Sequence, residues 1–131
     1  MNVLIVEDNR DIAENIADYL EPLGYTLDFA VTGRGGLELA THNRYDVVVL
    51  DVMLPGMDGF QLIEKLKTEG KCDNASVIIL SNLGQKEDID RGLSVGIDGY
   101  IVKASATPSE VVAKVREVIK NKDNKKQDDQ S

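Results

Sequence analysis

Short apolar runs alternate along the chain with longer segments in which apolar residues recur every three or four positions. Three of these runs are continuously apolar, which is typical of strands buried on both faces, whereas one alternates with polar residues and predicts an edge strand. The predicted strands are Asn2 to Val6, the alternating run Thr26 to Ala30, Asp46 to Leu50, Ser76 to Leu80 and Gly99 to Val102.

The segments between the runs have the spacing of amphipathic helices. The sequence Thr107-Pro108-Ser109-Glu110 has the pattern of a capping box with proline at the first helical position, which predicts the start of a last helix. Five strands alternating with five helices predict an α/β domain in which a parallel sheet is covered on both faces. The helical faces are Ile12, Ile16, Leu20 and Leu23; Phe60, Ile63 and Leu66; and Val111, Val115, Val118 and Ile119.

The polar end of the chain differs from the rest, because residues 121–131 include no apolar side chain. Such a segment cannot bury enough surface to pack, so we expect one domain over residues 1–120 and a disordered tail over 121–131.

Net charge and cysteine content restrict the possible partners and the cellular compartment. The net charge of −8 argues against direct binding of nucleic acid. The single cysteine, Cys72, allows no internal disulfide and favours a reducing compartment. No apolar stretch reaches the length of a membrane span, and the first residues lack the pattern of a signal peptide. We therefore expect a cytoplasmic domain with no membrane partner.

Carboxylates follow two of the central strands. Asp51 follows the apolar run Val47 to Leu50, and the run that ends at Val6 continues directly into Glu7 and Asp8. If the two strands are parallel neighbours, three carboxylates meet at one edge of the sheet and require a cation. Mg²⁺ takes oxygen ligands and keeps several waters, and Asp8 and Asp51 would supply two of its oxygens. Taken alone, Asp8 is equally well explained as a helix cap.

An ordered set of motifs carries a resemblance. It comprises Glu7-Asp8, Asp51 with Leu54-Pro55-Gly56-Met57-Asp58-Gly59, Ser81 at the end of the fourth strand, and Gly96-Ile97-Asp98-Gly99-Tyr100-Ile101-Val102-Lys103. From about Asn2 to Lys120 the chain resembles a receiver domain of two-component response regulators, with the chemotaxis-regulator fold. The resemblance implies a flavodoxin-like three-layer sandwich with the strand order 2-1-3-4-5.

The resemblance also implies a chemistry. Asp51 would accept a phosphoryl group from a sensor histidine kinase or phosphotransfer protein, with Mg²⁺ or Mn²⁺ as the metal. The backbone carbonyl of Met53 would be a third protein ligand, Glu7 would hold a metal-bound water, and the ammonium of Lys103 would offset phosphoryl charge. The domain would catalyse its own phosphorylation and a slow autodephosphorylation, without turnover of a separate substrate.

The resemblance further implies a switch, in which Ser81 moves toward the phosphoryl group and Tyr100 turns into the space that opens. The output surface would comprise a helix from about Gln85 to Val95, the fifth strand and the last helix. Because Asp98-Gly99-Tyr100 lacks the second acidic residue of many DNA-binding members, we expect a monomer or weak dimer.

Departures from the family pattern leave one alternative open. Asn82 stands where a small residue is usual, and Ala104 stands where proline is usual. A pseudo-receiver that binds partners without being phosphorylated is therefore the alternative function. A flavin carrier fits less well, because Glu7 and Asp8 would repel its phosphate at the end of the first strand, and a Rossmann module would need the sequence G-x-G-x-x-G there.

Overall fold

The computed structural model describes residues 1–51, 59–68, 75–81, 90, 94, 96–102 and 107–130, without the side chains of 81, 108 and 122–130. Five strands within these ranges form one sheet of parallel strands in the order β2-β1-β3-β4-β5. The predicted sheet and the edge position of the alternating strand are therefore confirmed. The strands are β1 (Asn2–Val6), β2 (Thr26–Ala30), β3 (Val47–Asp51), β4 (Ser76–Ser81) and β5 (Gly99–Val102).

Four α-helices lie in the described part of the chain: α1 (Arg10–Leu20), α2 (Gly33–His42), α3 (Gly59–Thr68) and the C-terminal helix α4 (Pro108–Gln130). A 3-10 turn over Glu21–Leu23 follows α1. Most of the helix predicted from Gln85 to Val95 lies outside the described residues. The predicted capping box at α4 is confirmed, because Thr107 Oγ1 accepts from Glu110 N at 3.3 Å and Glu110 Oε2 accepts from Thr107 N at 3.4 Å.

The sheet separates two hydrophobic cores, because successive side chains of a strand point to opposite faces. Along β1, Val3 and Ile5 pack with α1 and α4, whereas Leu4 and Val6 pack with α2 and α3. A β-carbon at Gly36 of α2 would lie 2.8 Å from Val6 Cγ2, so glycine allows this helix to approach the sheet closely.

Two aspartates extend the strand pairing at the amino edge of the sheet. Asp46 Oδ2 accepts from Asn2 N at 2.8 Å, while Asp46 N donates to Asn2 O at 2.8 Å. Asp98 forms the same pair of bonds with Val77, at 2.7 Å through its carboxylate and 2.8 Å through its backbone N–H. These two aspartate brackets join β3 to β1 and β5 to β4. Asp46 lies just before the strand, and β3 begins at Val47, one residue later than predicted.

The C-terminal helix continues to Gln130, past the residue where we expect the folded domain to end. Its buried stripe of Val111, Val115 and Val118 agrees with the prediction. Beyond residue 120 the helix carries no apolar residue that could pack on the sheet, and the domain boundary at 120 stays a prediction. None of the helices in the described ranges is both long and apolar enough to cross a membrane.

Candidate functional site

Strand register brings two carboxylates together at the carboxyl edge of the sheet. Val6 of β1 pairs with Leu50 of β3, so the next residues, Glu7 and Asp51, are neighbours. The residues two and four positions before each of them pack against α1 and α4. Strand alternation therefore directs both carboxylates to the α1 and α4 side of the sheet. Glu7 also continues the ladder on its other flank, because its N–H donates to Ala30 O at 3.0 Å.

Glu7, Asp8 and Asp51 form an acidic cluster, in which one carboxylate oxygen from each residue lies within 4.8 Å of the other two. Glu7 is 1% exposed and Asp51 is 3% exposed, whereas Asp8 is exposed to solvent. Burial of carboxylates is costly unless opposite charge or hydrogen bonds compensate it. The cluster therefore has a buried floor, an open side toward solvent and a concentration of negative charge that a cation would neutralise.

The first turn of α1 holds Glu7 in the cluster. Glu7 Oε1 accepts from Asn9 N at 3.1 Å. The side chain of Asn9 caps the helix, since its Oδ1 accepts from Asp11 N at 3.0 Å and from Ile12 N at 3.3 Å. The N-cap of α1 is thus Asn9, so the alternative that Asp8 occupies the cap is wrong.

The donor set of the acidic cluster fits a hard divalent cation. Every side-chain donor atom that the three residues offer is a carboxylate oxygen. Mg²⁺ and Mn²⁺ prefer such ligands, and Mg²⁺ commonly takes one or two carboxylates together with water. The exposed position of Asp8 leaves a solvent-facing side from which waters or a phosphoryl group could reach the cation.

The other predicted site residues have different positions. Ser81 is the last residue of β4 and pairs with Val102 of β5, at the same edge of the sheet as Asp51. Its hydroxyl, the carbonyl of Met53 and the side chain of Lys103 lie outside the described part of the structure. Tyr100 lies on the edge strand β5, where it is 41% exposed and lines a groove with residues of α4.

Asn9 is the site residue that the sequence analysis missed. A signal for it was present, because an asparagine directly before a segment of helical periodicity is a strong N-cap candidate. The hydrogen bond from its backbone to Glu7 has no sequence signal, because any residue except proline offers that N–H group.

Comparison with known proteins identifies the family. Residues 3–116 match the family model described as the response regulator receiver domain. The match covers most of the chain, and the sheet order and acidic cluster agree with it. The chain belongs to the response regulator receiver domain family.

Individual relatives agree with this assignment. The Escherichia coli transcriptional regulatory protein HprR is 39% identical over 116 residues, which are 88% of this chain and 50% of HprR. A CheY-like receiver domain protein from Methanospirillum hungatei has a TM-score of 0.86 at 26% identity, covering 95% of this chain and 97% of that one. The chemotaxis response regulator CheY4 of Vibrio cholerae has a TM-score of 0.83 at 27% identity, covering 89% and 97%. The chain spans about half the length of the curated relatives it matches.

Proposed function

We propose that this domain is a phosphorelay receiver that accepts a phosphoryl group onto Asp51 from a partner histidine kinase or phosphotransfer protein. The observation that carries the proposal is the acidic cluster, in which Asp51 lies at the end of a central strand beside Glu7 and Asp8. Response regulators as a class receive phosphoryl groups from histidine kinases, and membership of that family supports the assignment.

Asp51 is the nucleophile in this proposal. One of its carboxylate oxygens attacks the phosphorus of a phosphohistidine. A P–O bond forms as the P–N bond breaks, and the imidazole leaves with the electron pair. The product is an aspartyl phosphate, whose later hydrolysis returns inorganic phosphate and the free carboxylate. The protein contributes mainly position, because β3 pairs with β1 on one side and β4 on the other.

The residues of the acidic cluster would bind the cation. Asp8 and Asp51 would supply carboxylate oxygens, the backbone carbonyl of Met53 a third ligand, and Glu7 a hydrogen bond to a coordinated water. Bound Mg²⁺ would offset charge on the phosphoryl oxygens, as metal ions do in phosphoryl transfer. The ammonium of Lys103, the residue after β5 in the sequence, would add a second positive charge.

Phosphorylation would change the surface made by the 85–95 segment, β5 and α4. Ser81 at the end of β4 would move to bond to the phosphoryl group, and Tyr100 would turn into the space that this movement opens. The partial exposure of Tyr100 supports this role, because the ring is not locked in the core.

The partners of this domain follow from its charge and its relatives. HprR is described as a transcriptional regulatory protein, and our chain matches half of it. Because its net charge is −8, we expect this chain not to bind nucleic acid directly. We propose that the domain is cytoplasmic. We expect a monomer or weak dimer, because the second acidic residue before Tyr100 is missing.

Acetyl phosphate and Mg²⁺ provide the test of phosphorylation. Intact-protein mass spectrometry should show the addition of one phosphoryl group to the wild type and none to Asp51→Asn. Asp18→Asn is the matched control, because Asp18 is an exposed residue of α1 outside the cluster and the charge change is the same. Unlabelled wild type would favour the pseudo-receiver, and undiminished labelling of Asp51→Asn would refute the choice of acceptor.

Hydrogen exchange tests the switch. With the phosphoryl mimic beryllofluoride bound, amide protection should change between Ser81 and Lys103. If the mimic binds and protection in that segment stays the same, the switch is not the one proposed.

A further inference from the structure

We propose that Asn9 is a positioning residue for the cation site. Its side chain caps α1, and the cap orients the backbone N–H that holds the carboxylate of Glu7. The proposal rests on the proposed function, since it assumes that the acidic cluster binds Mg²⁺. Asn9, which is not a member of the acidic cluster, would thus orient the carboxylate of a residue that is.

Two sets of hydrogen bonds meet at this one residue. The backbone N–H of Asn9 donates to Glu7 Oε1 at 3.1 Å, and the side-chain Oδ1 accepts from Asp11 N at 3.0 Å and Ile12 N at 3.3 Å. The cap fixes Asn9 at φ −87° and ψ 107°, an extended conformation outside the helix. Since the peptide group is planar, fixing the backbone here also fixes the direction of the N–H group.

The hydrogen bond from Asn9 N matters more for Glu7 than it would for an aspartate, because the glutamate side chain is longer. Its side chain has three rotatable bonds, and its carboxylate must stay within 4.8 Å of the oxygens of Asp8 and Asp51. The bond to one oxygen restricts the rotation of the carboxylate and sets the direction of the other. Asp8 lies between the two residues that are joined by this bond, so the same contact limits the path of its backbone.

A purely structural role for Asn9 makes a different prediction. Loss of a helix cap destabilises the folded protein whether or not the helix adjoins a ligand site. The chain offers a matched control, because Thr32 caps α2 with a hydrogen bond from Gly35 N to its Oγ1 at 3.0 Å. Thr32 follows the edge strand β2 and is not a member of the acidic cluster.

The experiment compares Asn9→Ala, Asn9→Gly, Asn9→Ser and Thr32→Ala in the full chain. Isothermal titration calorimetry gives the Kd for Mg²⁺, and thermal unfolding in EDTA gives the stability of the metal-free protein. Outer-shell substitutions typically weaken metal binding by 10–100-fold, and we expect roughly a tenfold loss for Asn9→Ala. Asn9→Ser retains a capping oxygen and should bind Mg²⁺ almost as the wild type does.

Asn9→Gly separates positioning from stability. Glycine is tolerated at an N-cap with little loss of helix stability, but it removes the capping oxygen and frees the backbone. This variant should keep most of the wild-type Tm and still lose Mg²⁺ affinity. Thr32→Ala should show the opposite behaviour, with a lower Tm and an unchanged Kd.

The outcomes distinguish failure of this inference from failure of the proposed function. Wild-type Mg²⁺ affinity in both Asn9→Ala and Asn9→Gly would overturn the positioning role while leaving the receiver function intact. An equal loss of affinity in Thr32→Ala would also overturn it, because a cap outside the cluster would then have the same effect. A wild type that binds no Mg²⁺ would overturn both.

Discussion

Removing the charge of Asp8 should stabilise the metal-free protein. In water, two unit charges 4.8 Å apart repel by about 0.9 kcal/mol, and one carboxylate oxygen from each residue of the cluster lies within 4.8 Å of the other two. Because Glu7 and Asp51 are buried and only Asp8 is exposed, the value for water is a lower limit for the two pairs. Asp8→Asn should therefore raise the free energy of unfolding by roughly 1–2 kcal/mol at low salt, when all three carboxylates are ionised.

Mg²⁺ should reverse the order of stability. A ligand present at 100 times its Kd stabilises the folded state by about 2.7 kcal/mol. The wild type should gain this stabilisation, and Asp8→Asn should lose most of it, because it lacks one anionic ligand. Thermal unfolding followed by circular dichroism suits a chain without tryptophan. For a domain of this size each kcal/mol corresponds to roughly 4 °C in Tm.

The control and the refuting result concern the metal-free state. Asp18→Asn removes the same charge from an exposed position on α1 and should shift the Tm in EDTA much less. If Asp8→Asn unfolds at a lower temperature than the wild type in EDTA, the cluster has no net repulsion and the electrostatic reasoning fails. If the Tm of the wild type does not respond to millimolar Mg²⁺, the proposed cation site fails.

Three further predictions concern the fold and are checked by urea denaturation. Asp98→Ala should cost about 1–3 kcal/mol, because it leaves Val77 N–H without its carboxylate acceptor, and Asp98→Asn should cost less; equal losses would contradict the bracket. Tyr45→Phe should cost roughly 1.5–3 kcal/mol, because the hydroxyl of this buried ring donates to Asp28 Oδ2 at 2.7 Å; an unchanged midpoint would refute that contribution. Gly24→Ala should cost about 1–2 kcal/mol, because Gly24 has φ +92°, and a neutral result would show that the turn adjusts without strain.

Hydrophobic patterning was enough to predict the strands, their parallel pairing and the edge position of the second strand, whereas the strand order was implied by the family resemblance. Continuous apolar runs are central and the alternating run is at the edge, because burial on one or two faces decides which positions must be apolar. Asp51 was identifiable because the polar residue that ends an apolar run lies at the rim of the sheet. The proximity of Glu7 and Asp51 followed from parallel pairing, and the structure confirms it.

Individual hydrogen bonds were not predictable from the sequence. β3 begins at Val47, one residue after its predicted start, and Asp46 before it bonds to Asn2 through both its side chain and its backbone. The role of Asn9 depends on the direction of an N–H group, which the local backbone conformation determines. Composition and periodicity carry no information about either contact.

The two aspartate brackets and the acidic cluster lie at opposite edges of the same sheet, and this separation affects how the domain can be altered. Asp46 and Asp98 secure strand pairing at the amino edge, away from the loops that carry the candidate chemistry. Loops at the carboxyl edge can therefore be exchanged between homologues, or redesigned for a new specificity, without removing the bonds that align the strands. An engineer seeking a receiver with altered phosphorylation kinetics would leave both brackets intact and diversify only the carboxyl edge.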